Sequence, residues 1–599
     1  MAMPPANTNT TAVLGAHRIR LWYGALLLIV AIFGVRLFYV QVIRYNHYKN
    51  AALSDQLKQY EIPANRGLIK ARDGANLVPI VLNQKLYTAY ADPVYLKSDP
   101  EYVKNPGQVA HKIADVTGVN ADKISGLLQT PKTRYVILGK KLTPEQSQRL
   151  LALKIHGIGS QGQDFRTYPQ GDLAAQVLGF VGDNGQGQYG LEQALNKQLR
   201  GVPGQLKAIT DLSGIPLAAN RENTLLPAHA GDDLVLTLNL AIQQQVQTIL
   251  QKGVAASKAS GASAVILDPN NGAVKAMANF PSYDPAKYNQ VEDGKLFSNA
   301  AVAEPIEVGS IMKTLTTAAA LDKGVIAPNT TYYDPSFWLV NGFRITNIEE
   351  DGGSGTRSVA DILNLSLNTG ATWELMQLGG GSINEKARAA WHDYMVNHYL
   401  FGKPTGIEQG YEATGYVPND NENGAGINLT YANTTFGQAM TATPLQMAGA
   451  MAAALNGGTY YQPHLVDQAI SADGTISKSS NKVLASNVVA PKVSQALIPL
   501  MQNVVQKHNF VPAFDQSRYI VGGKTGTAQI AKPNGGYYDN KFNGTYLGFV
   551  GGDKVQYVIA VFVNQPTNGG YAGTAAAQPI FASIVHTLID ESLVTPKTK

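Results

Sequence analysis

The chain contains no cysteine, which excludes disulfides, thiolate chemistry and Cys-ligated metal. Its ten histidines never fall in His-Glu-x-x-His or similar spacing, so neither a metal site nor a cofactor is expected. Charge is sparse: 15% of residues are Asp, Glu, Lys or Arg, and the formal net charge is only +5 over 599 residues. No Lys/Arg run interleaves with aromatics, which argues against nucleic acid as a partner. What is present is apolar content, 44% of the chain, enough for an ample core spread over several domains.

Residues 1–16 are small and polar and read as a disordered tail. Leu21 to Val35 carries no charge, Arg36 interrupts, and Leu37 to Ile43 is mostly apolar again. The whole stretch is long enough to span a bilayer with Arg36 snorkelling to one interface. A cleaved signal peptide would end in small residues, but Arg36-Leu-Phe-Tyr-Val-Gln-Val-Ile-Arg44 follows. A soluble helix is seldom apolar all round, so an uncleaved anchor is expected. Arg18 and Arg20 precede the span while Arg36, Arg44 and Lys49 lie at or beyond its end, a charge pattern that orients it weakly.

Residues 44–231 read as an α/β region without a reaction centre. Asp73-Gly74 signals a type I′ hairpin turn between Leu68-Ile69 and Leu77–Leu82, and Thr143-Pro-Glu-Gln146 a capping box. Gly185-x-Gly187-x-x-Gly190 has dinucleotide-loop spacing but follows Asp-Asn rather than a clear strand, so nucleotide binding is not expected. A more regular α/β domain begins near Asp232. Leu234–Leu238 predicts a strand, and Ile242, Val246, Ile249 and Leu250 a helix stopping at Gly253. Ala264–Leu267 with Ala273–Ala278, and Tyr546–Val550 with Val555–Val563, predict antiparallel pairs. A last helix falls at about Ile580–Leu588. One antiparallel sheet built from both ends of the domain is expected, with a mostly helical insert between about 300 and 510.

Three short motifs carry the chemistry. Ser310-Ile-Met-Lys313 follows Gly309 and opens an apolar helix, placing serine and lysine on one face and the serine near unpaired N–H groups at the helix start. Ser366-Leu-Asn368 comes next, and Lys524-Thr-Gly526-Thr527 last. Ser479-Ser-Asn-Lys482 also has Ser-x-x-Lys spacing, but it sits in a Ser/Lys-rich stretch that reads as a surface loop. Ser-x-Asn recurs at Ser382-Ile-Asn384 and Ser479-Ser-Asn481 and decides nothing alone. Lys-Thr-Gly occurs once. The ordered set is the one shared by penicillin-binding proteins and class A β-lactamases.

Almost everything after residue 20 resembles a class B penicillin-binding protein, most closely the division-type, FtsI-like D,D-transpeptidases. The resemblance rests on Arg36-Leu-Phe-Tyr-Val-Gln-Val, Asn65-Arg-Gly-Leu-Ile, Arg166-x-Tyr-Pro169, Tyr189-Gly-Leu-Glu192, Thr443-Pro-Leu-Gln446, and the run from Lys524-Thr-Gly-Thr to Ala577-Gln-Pro-Ile-Phe581. Two positions depart from the family pattern. Val308 replaces a proline before the nucleophile, which would loosen the helix entry. Ala71 stands where the pedestal usually has Asp, which puts a contact with Arg66 or Arg72 in doubt. The resemblance implies an α/β (α+β) chain: a cytoplasmic tail (1–20), a transmembrane anchor (21–43), an elongated pedestal (44–231), a β-lactamase-like serine transpeptidase domain with an antiparallel sheet and helical insert (232–590), and a tail (591–599). It also implies a single-pass plasma-membrane protein with its catalytic domain outside.

By that resemblance Ser310 attacks the penultimate D-Ala carbonyl of a stem peptide. A serine hydroxyl needs a base, and Lys313 is the nearest. A free lysine titrates near ~10.4, so working near neutrality demands roughly 4 kcal/mol of preference for the neutral amine, from burial and from Lys524 as a second cation. Ser366 would relay the proton to the leaving amine. Asn368 would hold the substrate backbone, and Gly526 would let the stem peptide pair as an added strand. Thr525 and Thr527 would take the terminal carboxylate, and the backbone N–H groups of Ser310 and Thr527 would form the oxyanion hole. Implied partners are the D-Ala-D-Ala stem peptide, β-lactams as covalent inhibitors, a SEDS-type membrane glycosyltransferase and divisome proteins. The competing readings are an elongation-type transpeptidase, a hydrolase on the same scaffold, and a β-lactam sensor. Glu374-Leu-Met-Gln-Leu is not the Glu-x-x-Leu-Asn element a class A β-lactamase would need.

Overall fold

The computed structural model describes residues 11–49, 57–209, 224–347, 353–420, 424, 426–508 and 514–598. Two compact units divide the chain. The first comprises residues 1–64 and 202–229. It holds helix α1 (Thr11–Phe38), which ends in a π turn over Tyr39–Ile43. The tail expected over 1–16 is therefore helical from Thr11, and residues 1–10 lie outside the described set. Ile19–Ile43 is long and apolar enough to cross a bilayer. The same unit contains a small antiparallel sheet in the order β1 (Leu57–Ile62), β6 (Gly204–Ile209), β7 (Thr224–Leu226).

The second unit comprises residues 65–201 and 230–599. It opens with the hairpin of β2 (Ile69–Asp73) and β3 (Asn76–Ala91). The loop residues are Gly74 and Ala75, and only Gly74 has positive φ, 58°. A type I′ turn needs positive φ at both central residues, so the expected hairpin forms with a different turn. β3 then pairs with β4 (Val136–Leu142) and β5 (Ile158–Thr167). Thr143 and Gln146 form the expected capping box at the head of Pro144–Ala152. The Gly185/Gly187/Gly190 stretch is a two-residue hairpin against Phe180-Val181. A Cβ on Gly187 would meet the Glu192 carbonyl oxygen at 1.8 Å and one on Gly190 the Val177 carbonyl oxygen at 2.4 Å, so these two serve close packing, while Gly185, at φ 74° with open space around it, serves the turn.

β8 (Asp233–Asn239) departs from the expected single sheet. It runs parallel to β2 and antiparallel to β13 (Val466–Ile470), joining one sheet of order β14-β13-β8-β2-β3-β4, where β14 is Ile476–Lys478. The main sheet is antiparallel, in the order β10 (Val274–Phe280), β9 (Gly261–Leu267), β17 (Val555–Asn564), β16 (Tyr537–Gly551), β15 (Ile520–Ala531). β9 and β17 are apolar along nearly their whole length because both sheet faces are covered. Helices α2 (Leu240–Ser257) and α7 (Gln578–Asp590) close one face. The wholly buried α5 (Pro444–Leu455) packs on the other.

α2 does not stop at Gly253. It continues to Ser257, and a Cβ at Gly253 would meet Ile580 Cγ1 at 2.4 Å. The glycine marks where α2 touches α7, and close packing at that point outweighs glycine's cost within a helix. The insert supplies α3 (Lys313–Asp322), the hairpin of β11 (Phe337–Val340) and β12 (Phe343–Thr346), α4 (Asn368–Leu378) and α6 (Pro491–Lys507). The last residues are anchored too: Val594 is buried and the Lys597 N–H donates to the Arg518 carbonyl.

Candidate active site

The turn bearing Ser310 is held from two sides. Gly309 adopts φ 65°, and a Cβ there would sit 2.8 Å from the Thr527 carbonyl oxygen on β15. On the other side the Gly309 N–H donates to the Gly437 carbonyl, 3.0 Å. A Cβ on Gly437 would lie 2.2 Å from the Gly309 carbonyl oxygen. The chain passes a gap that only glycine fits, then makes one 3₁₀ turn over Gly309–Met312 before α3 begins at Lys313. The helix expected directly after Gly309 thus starts three residues later, with Ser310 on the tighter turn common at helix starts. Val308 does not loosen this entry. It is buried, and its carbonyl accepts from Thr545 Oγ1 at 2.7 Å.

Lys313 is wholly buried. Its Nζ donates to Ser310 Oγ at 2.9 Å, to the Ser366 carbonyl at 2.5 Å, to Ser366 Oγ at 3.2 Å and to Asn368 Oδ1 at 2.8 Å. Ser366 takes the left-handed conformation, φ 57°, which costs a non-glycine residue about 1–3 kcal/mol and is held by its surroundings. That bend turns both its carbonyl and its hydroxyl onto Lys313. Asn368 is fixed from behind, its Nδ2 donating to the Thr346 carbonyl on β12 at 3.0 Å. Oδ1 on Lys313 and Nδ2 on Thr346 together fix the plane of the amide.

Lys524, Thr525, Gly526 and Thr527 lie on β15, the edge strand of the main sheet. Lys524 is buried and its Nζ donates to the Thr525 carbonyl at 3.0 Å. Thr527 Oγ1 accepts from the Gly573 N–H at 3.0 Å. Gly526 is needed inward: a Cβ there would meet Thr545 Oγ1 at 2.2 Å and the Val308 carbonyl oxygen at 2.8 Å. Its small size therefore seats the Ser310 turn against β15. Ser310, Ser366, Asn368, Lys524, Thr525 and Thr527 all line one cavity of about 610 Å³, with Lys313 beneath them.

Sequence reasoning missed Phe436 and Gln438, which also line this cavity; Phe436 presents its ring 6.0 Å from Lys313 Nζ. A glycine at 437 was their only signal. The decoy motifs fall elsewhere: Asn384 caps Glu385–Asp393 through the Ala387 N–H, and Ser479–Lys482 is an exposed link after β14. None of the cavity-lining residues is an Asp or Glu among those described.

The comparisons with known proteins agree with this layout. The family model "Penicillin binding protein transpeptidase domain" matches residues 262–586, and "Penicillin-binding Protein dimerisation domain" matches 61–236. The chain is 29% identical to Stage V sporulation protein D of Bacillus subtilis over 584 residues, 95% of this chain and 86% of that protein. It is 24% identical to the peptidoglycan D,D-transpeptidase FtsI of Escherichia coli, over 95% of this chain and 90% of the other. Its fold is similar to that of penicillin-binding protein 3 from Mycobacterium tuberculosis solved with aztreonam, with TM-score 0.67, 24% identity, and coverage of 90% of this chain and 98% of that one. The chain belongs to the penicillin-binding protein transpeptidase family. It is a D,D-transpeptidase of the class B type.

Proposed function

We propose that the chain cross-links peptidoglycan stem peptides through an acyl-enzyme on Ser310. The observation that carries this is Lys313 Nζ, buried and in hydrogen-bonding distance of Ser310 Oγ, Ser366 Oγ and Asn368 Oδ1 together. Ser310 Oγ bonds to the penultimate D-Ala carbonyl carbon and its proton passes to Lys313. The C–N bond to the terminal D-Ala breaks, and that amine takes the proton by way of Ser366. An acceptor amine on a second strand then attacks the ester, gives up its proton along the same path, and restores the Ser310 hydroxyl. Asn368 orients the donor backbone, Thr525 and Thr527 hold its carboxylate, Lys524 supplies a second cation, and the N–H groups of Ser310 and Thr527 receive the oxyanion.

β-Lactams are read as inhibitors that acylate the same serine, as the aztreonam complex of the mycobacterial neighbour suggests. Hydrolysis is disfavoured because the described cavity wall offers no carboxylate to activate a deacylating water. Glu374 is wholly buried against Thr317 and does not line it. The anchor is assigned to the plasma membrane with the catalytic domain outside. Residues 44–231 are assigned as pedestal and 232–590 as catalytic domain, and the work is assigned to septal wall synthesis beside a membrane glycosyltransferase. The similarity to FtsI supports the septal role. Intact-mass analysis after incubation with benzylpenicillin tests the central step. The adduct is expected on the Ser310 peptide with a lifetime of hours, and Ser310→Ala should abolish it. An adduct mapped elsewhere, or one lost within seconds, overturns the reading.

A further inference from the structure

Glu374 lies on α4, six residues past Asn368, and is wholly buried. Its Oε1 accepts a 2.8 Å hydrogen bond from Thr317 Oγ1. Its Oε2 is buried with no hydrogen-bond partner. Thr317 stands four residues beyond Lys313 on α3, on the same face. The carboxyl is thus wedged between the helices that carry Lys313 and Asn368, below the cleft and out of reach of anything bound in it. Burial pushes its pKa up to about 8, while the Thr317 bond and the charge of Lys313 pull it down. Two phenols, Tyr332 and Tyr399, also feel its charge, and their own burial keeps them neutral far above the working range. Of the groups facing Glu374, Lys313 is the one that must gain and lose a proton.

Electrostatic coupling is reciprocal. If an ammonium at Lys313 favours the carboxylate at Glu374, the carboxylate favours the ammonium by the same free energy. A neutral Glu374 leaves the amine without that counter-charge and ready to take the Ser310 proton; an ionised one holds the proton on Lys313. We propose that Glu374 is a positioning residue that sets the proton affinity of Lys313 from beneath the cleft, and so fixes the pH at which Ser310 can be acylated. This rests on reading Ser310 and Lys313 as nucleophile and base.

The test is the acylation rate with a fluorescent penicillin against pH, on the full chain in detergent, for wild type, Glu374→Gln, Glu374→Asp and Thr317→Val. Glu374→Gln removes the charge, so the upper part of its rising limb should lie at lower pH. Below about pH 8 the wild-type carboxyl is itself protonated and the two rates should coincide; above it Glu374→Gln should label roughly two- to threefold faster and reach the same plateau sooner. Glu374→Asp, which keeps a carboxyl, should retain the wild-type limb. Thr317→Val removes a bond that favours ionisation and should move the limb the same way as Glu374→Gln, which keeps the test open if that variant folds poorly. Limbs coinciding with wild type, with only the unfolding midpoint changed, overturn the proposal and leave Glu374 a packing role. Ser310→Ala separates the layers: if it abolishes labelling while the limbs coincide, only the role of Glu374 fails, and if labelling persists, the reading of the nucleophile fails first.

Discussion

Two buried polar clusters of the second unit begin from similar parts and end differently. Beside β3, Glu192 is wholly buried and accepts from Arg66 Nε at 2.8 Å and Arg166 Nε at 2.9 Å. Arg166 also donates to Asn83 Oδ1 at 2.8 Å. Here the carboxylate is matched by guanidinium groups that stay protonated at any working pH. In the cleft, Lys313 is equally buried, but the bonds described above carry it to neutral oxygens: two hydroxyls, a carbonyl and an amide. The first arrangement fixes charge and so fixes structure. The second gives Lys313 neutral acceptors in place of a paired carboxylate, which suits the proposed role of a base. The Arg66–Glu192 pair also answers the doubt raised by Ala71, since Arg66 finds its carboxylate across the fold and Arg72 pairs with Asp467 at 2.6 Å.

This contrast can be broken by exchanging which property each cluster loses. Lys313→Met should cut the acylation rate by about 10³-fold or more, because a base is lost. It should move folding stability by no more than about 2 kcal/mol, since relief of a buried amine offsets the unpaired oxygens. Stopped-flow labelling with parallel denaturant melts reads both. Glu192→Gln should do the reverse, costing about 3–5 kcal/mol by stranding buried guanidinium charge, while the labelling rate per folded molecule stays within twofold. If Glu192→Gln slowed labelling of folded protein tenfold, the division between a structural and a chemical cluster would fail. Ser479→Ala should leave labelling and melting unchanged, and any measurable effect would remove the exposed-link reading of that motif.

Much of the site was legible because its parts are covalently local. Ser310 and Lys313 share a turn, Ser366 and Asn368 are two apart, and Lys524 to Thr527 are consecutive, so spacing alone set each group's internal geometry. The errors came where contact at a distance chose the outcome. Gly253 reads as a helix stop, yet it lies inside α2 and is glycine because Ile580 from the far end of the domain fills the space a side chain would take. Leu234–Leu238 reads as a strand of the main sheet. β8 instead joins β2 because Gly67, whose Cβ would meet the Asp232 carbonyl oxygen at 1.8 Å, lets the pedestal segment close against it. Gly526, read as room for substrate, also makes room for the turn that carries Ser310.

From residue order alone came the three catalytic motifs, the apolar first helix, most strands of the main sheet and the family, since each depends on periodicity or spacing within a few residues. Tertiary structure alone decided that Lys313 is buried, that Asn368 is pinned by Thr346, that Ser366 takes a left-handed bend, and that Glu374 is buried against Thr317 one turn beyond Lys313. Burial and coupling between segments dozens of residues apart depend on which surfaces meet, and no local pattern encodes that.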